Sequence, residues 1–387
     1  MSPGDESLLS YRLGTVADVF DVMKVYQKSE SHFAGEELFL DYRKLQASLA
    51  AADWLWILSE SNQEAVAVIA ICVDRAQRMG KILHLLADRT HTSGKDILRQ
   101  LLRYALNYLE HVFCDIDLVY SSTITFTMAA QEITILEGFK IAGIFPNAIG
   151  GGHSKLNGVT ICYFANCLSQ KRFQEISLHP SIVPFFQVTR GQLTLPDLQV
   201  TQTPSELEKN NFGKLPILEL IQAPKFVEGR FSQLNRSHSE MANFYPFYSA
   251  NALICDPSQE IEIFIAISQD RSSAAIIGEH IERSIYPVDL YTQVLHILQT
   301  HGISYVEIIN DAGDSYGIDC FLKAGFTPSA YVPAFKRQGE TRRDYVVMVR
   351  SFVTLMRPSL AVAQPYVDFF REFYKIERKN YFRKLSD

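Results

Sequence analysis

Several residue groups in this 387-residue sequence have side chains that could bind an anion or transfer a proton. One group is the segment ADRTHTSGKDI at residues 87–97, which directly precedes an amphipathic helical pattern. The first turn of a helix offers free backbone N–H groups and a partial positive charge, and glycine lets a backbone approach an anion closely. The residues concerned are Thr92, Ser93, Gly94, Lys95 and Asp96. The segment therefore predicts a phosphate-binding helix start, and a solvated turn that only caps the helix is the alternative.

Two side chains in apolar, strand-like segments could move protons. His84 lies within KILHLLA, and Tyr120 lies near the end of DIDLVYSS. An imidazole or a phenol in such a place can act as a general base or acid. Both residue types also serve as packing residues in strands, and that alternative stays open.

A glycine-rich loop, NAIGGGHSKLNG, follows at residues 147–158. Its three consecutive glycines favour mobility. His153 and Lys155 could contact an acidic acceptor there, and a hairpin tip without a ligand is the alternative.

The second half of the chain has a related but poorer set of residues. Glu279 lies in IIGEHIER and could act as a base or contact a substrate. The following segment, RSIYPVD, contains no glycine, and Pro287 removes one backbone N–H donor. We therefore expect the second half to bind anions less well than the first.

The elements that carry these residues occur twice. The order strand, helix, Gly-Phe turn, strand, loop and strand appears around Gly138 and again around Gly325, 187 positions later. Each turn is followed by a proline eight residues after its glycine, Pro146 and Pro333. Both glycines fit a left-handed helix C-cap, with an inward-facing phenylalanine after it. Two helices and three strands precede the first copy, which indicates two similar α/β domains.

Composition excludes some classes of function. A net charge of -6 leaves no basic surface for nucleic acid, so we expect no such partner. No apolar run approaches the roughly 20 residues of a membrane span, and the polar N-terminus is unlike a secretory signal. The six cysteines show no metal-binding spacing. We expect a cytoplasmic protein with reduced thiols and no metal.

In order and spacing the sequence resembles the GNAT acetyltransferase superfamily. The segments that carry the resemblance best are ILEGFKIAGIFP and FLKAGFTPSAYVP, within residues of about 10–168 and 215–353. The resemblance implies acetyl-CoA, or another acyl-CoA, as co-substrate and a small-molecule or peptide amine as acceptor. It implies that residues 92–96 bind the pyrophosphate, and that the fourth strand, at Leu85, Leu86 and Ala87, contacts the thioester.

The resemblance also identifies a missing residue. The family often has a tyrosine four residues before the glycine of the Gly-Phe turn, where it protonates the leaving thiolate. Here that position holds Thr134 in the first half and Phe321 in the second. His84 and Tyr120 are then the candidate catalytic residues.

We therefore predict a mixed α/β sheet in two tandem GNAT-like acyl-CoA N-acyltransferase folds with an extra C-terminal helix. The expected ranges are 1–168 for the first domain, 169–214 for a linker or irregular seam, 215–355 for the second domain and 356–387 for the helix. Six of the 15 prolines lie between Pro180 and Pro224, which favours the linker. The predicted function is transfer of an acyl group to a primary amine by the first domain. The alternative is a non-catalytic pair that senses acyl-CoA or binds proteins.

Overall fold

A computed structural model describes most of the chain. The described residues are 9–29, 37–90, 94–113, 116–124, 128–148, 156–164, 166–201, 209–237, 249–354 and 363–383. The chain divides into two compact units. The first comprises Met1–Thr123, Thr127–Lys140 and Thr160–Cys167, and the second comprises Ile124–Phe126, Ile141–Val159 and Leu168–Asp387.

The elements up to the first Gly-Phe turn and the two strands after it alternate in an α/β order. They are β1 Ser10–Leu13, α1 Val19–Lys28, α2 Glu37–Leu40, α3 Tyr42–Ala50, β2 Trp54–Ser61, β3 Glu64–Asp74, β4 Met79–Ala87, α4 Gly94–Tyr108, β5 Leu118–Ile124, α5 Met128–Leu136, β6 Lys140–Pro146 and β7 Leu156–Tyr163.

The remainder of the chain repeats this order after a segment of short elements. Its elements are β8 Ser177–Leu178, α6 Val183–Arg190, β9 Gln199–Val200, β10 Glu219–Ile221, α7 Pro224–Ser237, β11 Ala252–Cys255, β12 Ile261–Ile267, β13 Ser273–Ile281, α8 Pro287–Thr300, β14 Tyr305–Asp311, α9 Ser315–Ala324, β15 Thr327–Gln338, β16 Thr341–Ser351 and α10 Gln364–Arg383. The predicted mixed α/β class is confirmed, and so is the extra helix at the C-terminal end.

In the first unit, strands β1 to β4 are antiparallel neighbours and β5 runs parallel to β4. One apolar core lies between this sheet and α4, with Ile69 and Leu101 fully buried in it. A second core lies on the opposite face with α1, α2 and α3, and contains Phe39 and Trp56. The central strands β2, β3 and β4 are therefore covered on both faces, which explains their largely apolar sequences.

In the second unit the strands follow the order β6, β15, β16, β14, β13, β12, β11 and β10. Strands β13 and β14 are parallel, and the other neighbouring pairs are antiparallel. β6 belongs here because Gly143 pairs with Ala330 of β15, so closely that a Cβ on Gly143 would overlap the Ala330 side chain. Residues 141–159 therefore group with the second unit, whereas the range predicted for the first domain included them.

Both Gly-Phe turns have the predicted geometry. Gly138 and Gly325 take φ values of 92° and 99°, in the left-handed region that favours glycine. The N–H of the following phenylalanine, Phe139 or Phe326, donates to the carbonyl of the residue five positions earlier, at 3.0 and 2.9 Å. Both phenylalanines are buried. The turns therefore end α5 and α9 and begin β6 and β15 with an inward-facing ring.

Two features of the chain were not visible in the sequence. The second predicted helix is divided, because Asp41 caps α3 by accepting from the N–H groups of Arg43 and Lys44. The predicted linker at 169–214 contains α6, whose Phe185 and Phe186 are buried. Polar and proline-rich flanks concealed this short apolar helix in the sequence.

The C-terminal helix packs on the second unit, as expected from its apolar face. Tyr366, Phe369 and Phe373 recur at helical spacing and are all buried. The Tyr366 ring fills the space that a Cβ on Gly158 would need. Phe370 and Tyr374, also expected on the apolar face, are half-buried and contact each other.

A buried ion pair lies in the same unit. Arg172 donates to Asp344 at 2.9, 3.0 and 2.6 Å, and both side chains are fully shielded from solvent. Asp344 also accepts from the Tyr331 hydroxyl and from the Ala334 N–H. Its lone pairs are thus well satisfied, which compensates for the cost of burying a charge.

Candidate active site

The site begins where β4 and β5 diverge. Their parallel pairing runs from Met79 with Leu118 to Ile82 with Ser121 and ends there, although β4 continues to Ala87. β4 has a bulge at Leu83, because β3 pairs with Ile82 and then with His84. The last four residues of β4, from His84 to Ala87, are thus bonded to β3 along one edge, and the other edge has left the ladder with β5. A gap between two parallel strands is a common place for a ligand.

The second unit has the same register break. Strands β13 and β14 pair as far as Ala275 with Glu307, and a bulge in β13 falls at Ile277. Counted from the bulge, Glu279 occupies the position that Leu85 holds in β4. In both units, two parallel strands separate next to a bulge. The residue two positions after the bulge is Leu85 in the first unit and Glu279 in the second.

α4 begins at the far end of this free strand edge. Gly94 is its first residue, and a Cβ placed on it would meet no atom within 4 Å. Open space beside a helix start leaves room for an anion. Thr92 and Ser93, which were predicted to take part, lie outside the described residues, as do His153 and Lys155.

The charges around α4 are largely paired. The Lys95 ammonium bonds to Glu132 of α5. Arg99 and Arg103 both donate to Glu137, at 2.7 and 2.9 Å. Lys95 and Asp96 are exposed. An anion at Gly94 must therefore compete with Glu132 for the nearest cation.

The end of β4 is held by Asp88. This buried carboxylate accepts from Lys28 at 2.7 Å and from the backbone and hydroxyl of Thr90 at 2.9 and 2.7 Å. Burial alone would raise the pKa of Asp88, but these hydrogen bonds lower it to about 2. The turn that leads toward α4 is thereby fixed to α1.

Leu85, Leu86 and Ala87 have no reactive side chains, so only their backbone groups could contact a substrate. They pair with Ile69, Val68 and Ala67 of β3. Leu86 is buried, and Leu85 packs against the core under α4. The polar groups on the other edge of this segment are those that a thioester arm could meet.

His84 lies on the face covered by α1 to α3. Its ring contacts Phe39 edge-on, with the centroids 4.7 Å apart. Burial, and secondly the charge of Lys81, lower the pKa of His84 to about 4. The imidazole is therefore neutral at neutral pH and can accept a hydrogen bond or orient a water molecule.

Tyr120 lies beside Lys81, one step before the strands separate. The two residues are register partners, and the Lys81 ammonium is 5.9 Å from the centre of the Tyr120 ring. Both are buried. The structure thus brings His84 and Tyr120 to the same end of the gap, together with a lysine that was not predicted from the sequence. The sequence could have indicated this lysine, because Lys81 stands among the apolar residues of the strand-like segment MGKILHLL.

The position at which the resemblance implies a tyrosine holds Thr134 in the first half and Phe321 in the second. Thr134 is buried, and its hydroxyl donates to the carbonyl of Gln131 at 3.0 Å. Phe321 is a buried ring in contact with Tyr291 and Phe326. Neither side chain can protonate a thiolate.

In the second unit, the Glu279 carboxylate occupies the strand position that Leu85 holds in the first unit. The Tyr291 hydroxyl of α8 donates to Glu279. Burial, and secondly the charge of Asp314, raise the pKa of Glu279 against the effect of this hydrogen bond. The residue as a whole is nevertheless exposed to solvent. At the start of α8, Pro287 occupies the first turn, as expected from the sequence.

Metal centres and membrane spans are absent from the described part of the chain. Among those residues, no group of three or more His, Cys, Asp or Glu side chains is arranged to hold a metal ion. Within the same ranges, no helix combines the length and the apolar character that crossing a membrane requires.

No family model matches the sequence, and no curated protein does. Solved structures similar to this chain include the ribosomal-protein-S18-alanine N-acetyltransferase from Escherichia coli, at 12% identity and a TM-score of 0.36 over 43% of this chain and 100% of that one. They also include a GNAT-family acetyltransferase from Streptococcus pneumoniae, at 14% identity and a TM-score of 0.36 over 41% of this chain and 100% of that one. An N-acetyltransferase from Thermoplasma acidophilum, solved with coenzyme A, has 14% identity and a TM-score of 0.33 over 41% of this chain and 99% of that one.

The element order and the strand divergence decide the fold class. Parallel strands β4 and β5 separate after a bulge, a helix starts at the open end, and a Gly-Phe turn leads to two closing strands. The chain has a GNAT-like fold. In this GNAT-like fold, Lys81 and Tyr120 lie just before β4 and β5 separate, and His84 follows in the part of β4 beyond the β5 ladder.

Proposed function

We propose that this chain is an acyl-CoA-dependent N-acyltransferase that uses acetyl-CoA and acts on a primary amine. The active site would be the gap between β4 and β5 of the first unit. The observation that carries the proposal is the free edge of β4, which runs from the end of the β5 ladder to the open helix start at Gly94.

The dimensions of the gap fit an extended substrate. Residues 83–87 span about 13 Å from the first Cα to the last at the usual rise of a strand. Phosphates at the start of α4 would be stabilised by its N–H groups and its dipole, and the arm of CoA would follow the strand edge. The acyl end would then lie beside His84 and Tyr120.

The residues at that end support transfer to an amine. A neutral His84 would receive the amine proton directly or through water, since its lowered pKa keeps it unprotonated. Backbone groups of Leu85 and Leu86 would hold the thioester carbonyl. The apolar surroundings formed by Phe39 and Trp56 would restrict water near the acyl carbon.

The second unit is proposed to lack this activity. The Glu279 carboxylate stands in its gap, and Pro287 removes a donor from the helix start. In addition, Asp289 places a negative charge in the first turn of α8, where it pairs with Lys209 at 2.6 Å. Three features thus oppose an anionic substrate, so we expect one CoA site per chain.

Calorimetry with acetyl-CoA tests the proposal directly. We expect binding of one molecule per chain and, with a panel of primary amines, release of the CoA thiol. No heat at millimolar acetyl-CoA would refute the proposal. Detection of the chain in fractionated cells would test the proposed cytoplasmic location, which recovery in the membrane fraction would contradict.

A second candidate is a non-catalytic module that binds acyl-CoA. It is favoured by the absence of an acid at Thr134 and by the engagement of Lys95 with Glu132. Binding of acetyl-CoA without CoA release from any amine would support this candidate over the enzyme.

A further inference from the structure

Lys81 is a cation inside an otherwise apolar strand. The residue is only 6% exposed, although lysine is among the residues least often buried. Removing an ammonium from water is costly. A lysine in this position therefore suggests a role that an apolar residue could not fill.

The strand register places Lys81 at the closed end of the gap. It pairs with Cys72 of β3 and with Tyr120 of β5, one step before the last pair, Ile82 with Ser121. Register partners in a sheet project to the same face, so the Lys81 and Tyr120 side chains are neighbours, in agreement with the 5.9 Å between ammonium and ring centre.

The bulge at Leu83 brings His84 to this face as well. Residues that pair across a sheet share a face, and the row Trp56, Ala70, His84 lies next to the row Trp54, Cys72, Lys81. Without the bulge, residues three apart would project to opposite faces. The ammonium therefore lies close enough for its charge to act on the imidazole.

During acyl transfer, negative charge would develop on the CoA sulfur near Lys81. The phosphates of a CoA substrate would bind at Gly94, and its sulfur would lie toward the opposite end of the free strand edge. A fixed cation beside a developing anion in a water-poor site lowers the barrier more than it would in water. In the family a tyrosine often protonates the leaving thiolate, but Thr134 occupies that position here.

We propose that Lys81 stabilises the CoA sulfur as it leaves and protonates it. The inference rests on the proposed function. In the step, the amine nitrogen bonds to the acyl carbon, the carbon–sulfur bond breaks, and sulfur takes the electron pair. Lys81 gives one proton to sulfur and is reprotonated by the proton that His84 took from the amine directly or through water, so charge and atoms balance.

The test measures the CoA thiol itself and needs no turnover. Free CoA is bound to the unaltered protein and to Lys81→Met and Lys81→Arg, and thiolate formation is followed by its ultraviolet absorbance as the pH rises. We expect the thiol pKa of bound CoA to lie below that of free CoA. It should rise by about one unit, a tenfold loss of thiolate stabilisation, in Lys81→Met, and stay low in Lys81→Arg. Lys24→Met, which removes an exposed lysine of α1, is the control and should change nothing.

A second measurement uses the unaltered protein alone. Its preference for CoA over desulfo-CoA should increase as the pH rises through the titration of the thiol, since only CoA acquires the charge that Lys81 attracts. Turnover of acetyl-CoA by Lys81→Met should fall about 100-fold with little change in affinity.

The outcomes separate the two proposals. If CoA binds but its thiol pKa is the same with and without Lys81, the role of Lys81 is overturned and the proposed function stands. A preference over desulfo-CoA that does not vary with pH also overturns the role of Lys81, even if Lys81→Met does not fold. If CoA does not bind to the unaltered protein, both proposals are overturned.

Discussion

Gly94→Ala distinguishes a helix start that binds a ligand from one that merely begins a helix. Among the described residues, and leaving aside its chain neighbours and its own helix backbone, a Cβ at this position meets no atom within 4 Å, so we expect the substitution to introduce no clash. Alanine favours helix over glycine by up to about 1 kcal/mol. We therefore expect the variant to be as stable as the unaltered protein or more stable, with a rise in Tm of up to about 4 °C.

Binding of acetyl-CoA should change in the opposite direction. The added methyl group would occupy the space through which a phosphate approaches the N–H groups. Loss of one hydrogen bond to a charged group costs about 1.5–3 kcal/mol, which weakens binding about 10-fold to 100-fold. Calorimetry gives the affinity, and thermal denaturation of the same samples gives the stability.

Gly229→Ala provides the matched control. Gly229 lies inside α7, and a Cβ there also meets nothing within 4 Å. This variant should gain helix stability without any loss of acetyl-CoA affinity. If the two variants bind acetyl-CoA equally well, the start of α4 does not hold the phosphates.

Three further substitutions test other parts of the structure. Glu132→Gln frees Lys95, and because the pair is exposed it should strengthen acetyl-CoA binding several-fold at little cost in stability; unchanged affinity in calorimetry would contradict this. Asp344→Asn leaves a buried guanidinium unpaired and should cost about 3–5 kcal/mol in denaturant unfolding, whereas Asp197→Asn, at an exposed pair, should cost less than about 1 kcal/mol; equal effects would disprove the assigned role. Glu279→Gln should stabilise the second unit at neutral pH. The raised pKa of Glu279 means that the native carboxyl holds its proton more tightly, so native stability is lost as the pH rises through that pKa. The advantage of the variant should therefore vanish below about pH 4.5, and a constant difference in Tm across pH would exclude this cause.

The sequence predicted those features that depend on neighbouring residues. The periodicity of α4 and the two Gly-Phe turns at Gly138 and Gly325 are local, because a helix face and a left-handed cap each require only a few consecutive residues. The break between α2 and α3 was missed, since an aspartate within a helical pattern does not by itself indicate a cap.

Features that depend on register were not predictable in this way. Lys81 stands near His84 only because one residue of β4 is bulged, and the sequence does not show a bulge. The pairing of Gly143 with Ala330 likewise depends on a partner far along the chain. His84 and Tyr120 were found because their chemistry is visible from residue type alone, and their roles stay predictions.

The pairing of β6 with β15 has a consequence for synthesis of the chain. Gly143 leaves the ribosome 187 residues before Ala330 does, so β6 waits with this partner missing while the intervening chain is made. β6 has the apolar sequence KIAGIFP, and although β7 borders its other edge, an apolar strand with one open edge is prone to associate with other chains. We therefore expect nascent chains arrested before β15 to depend on chaperones, and folding to become self-sufficient only once the second Gly-Phe turn has emerged.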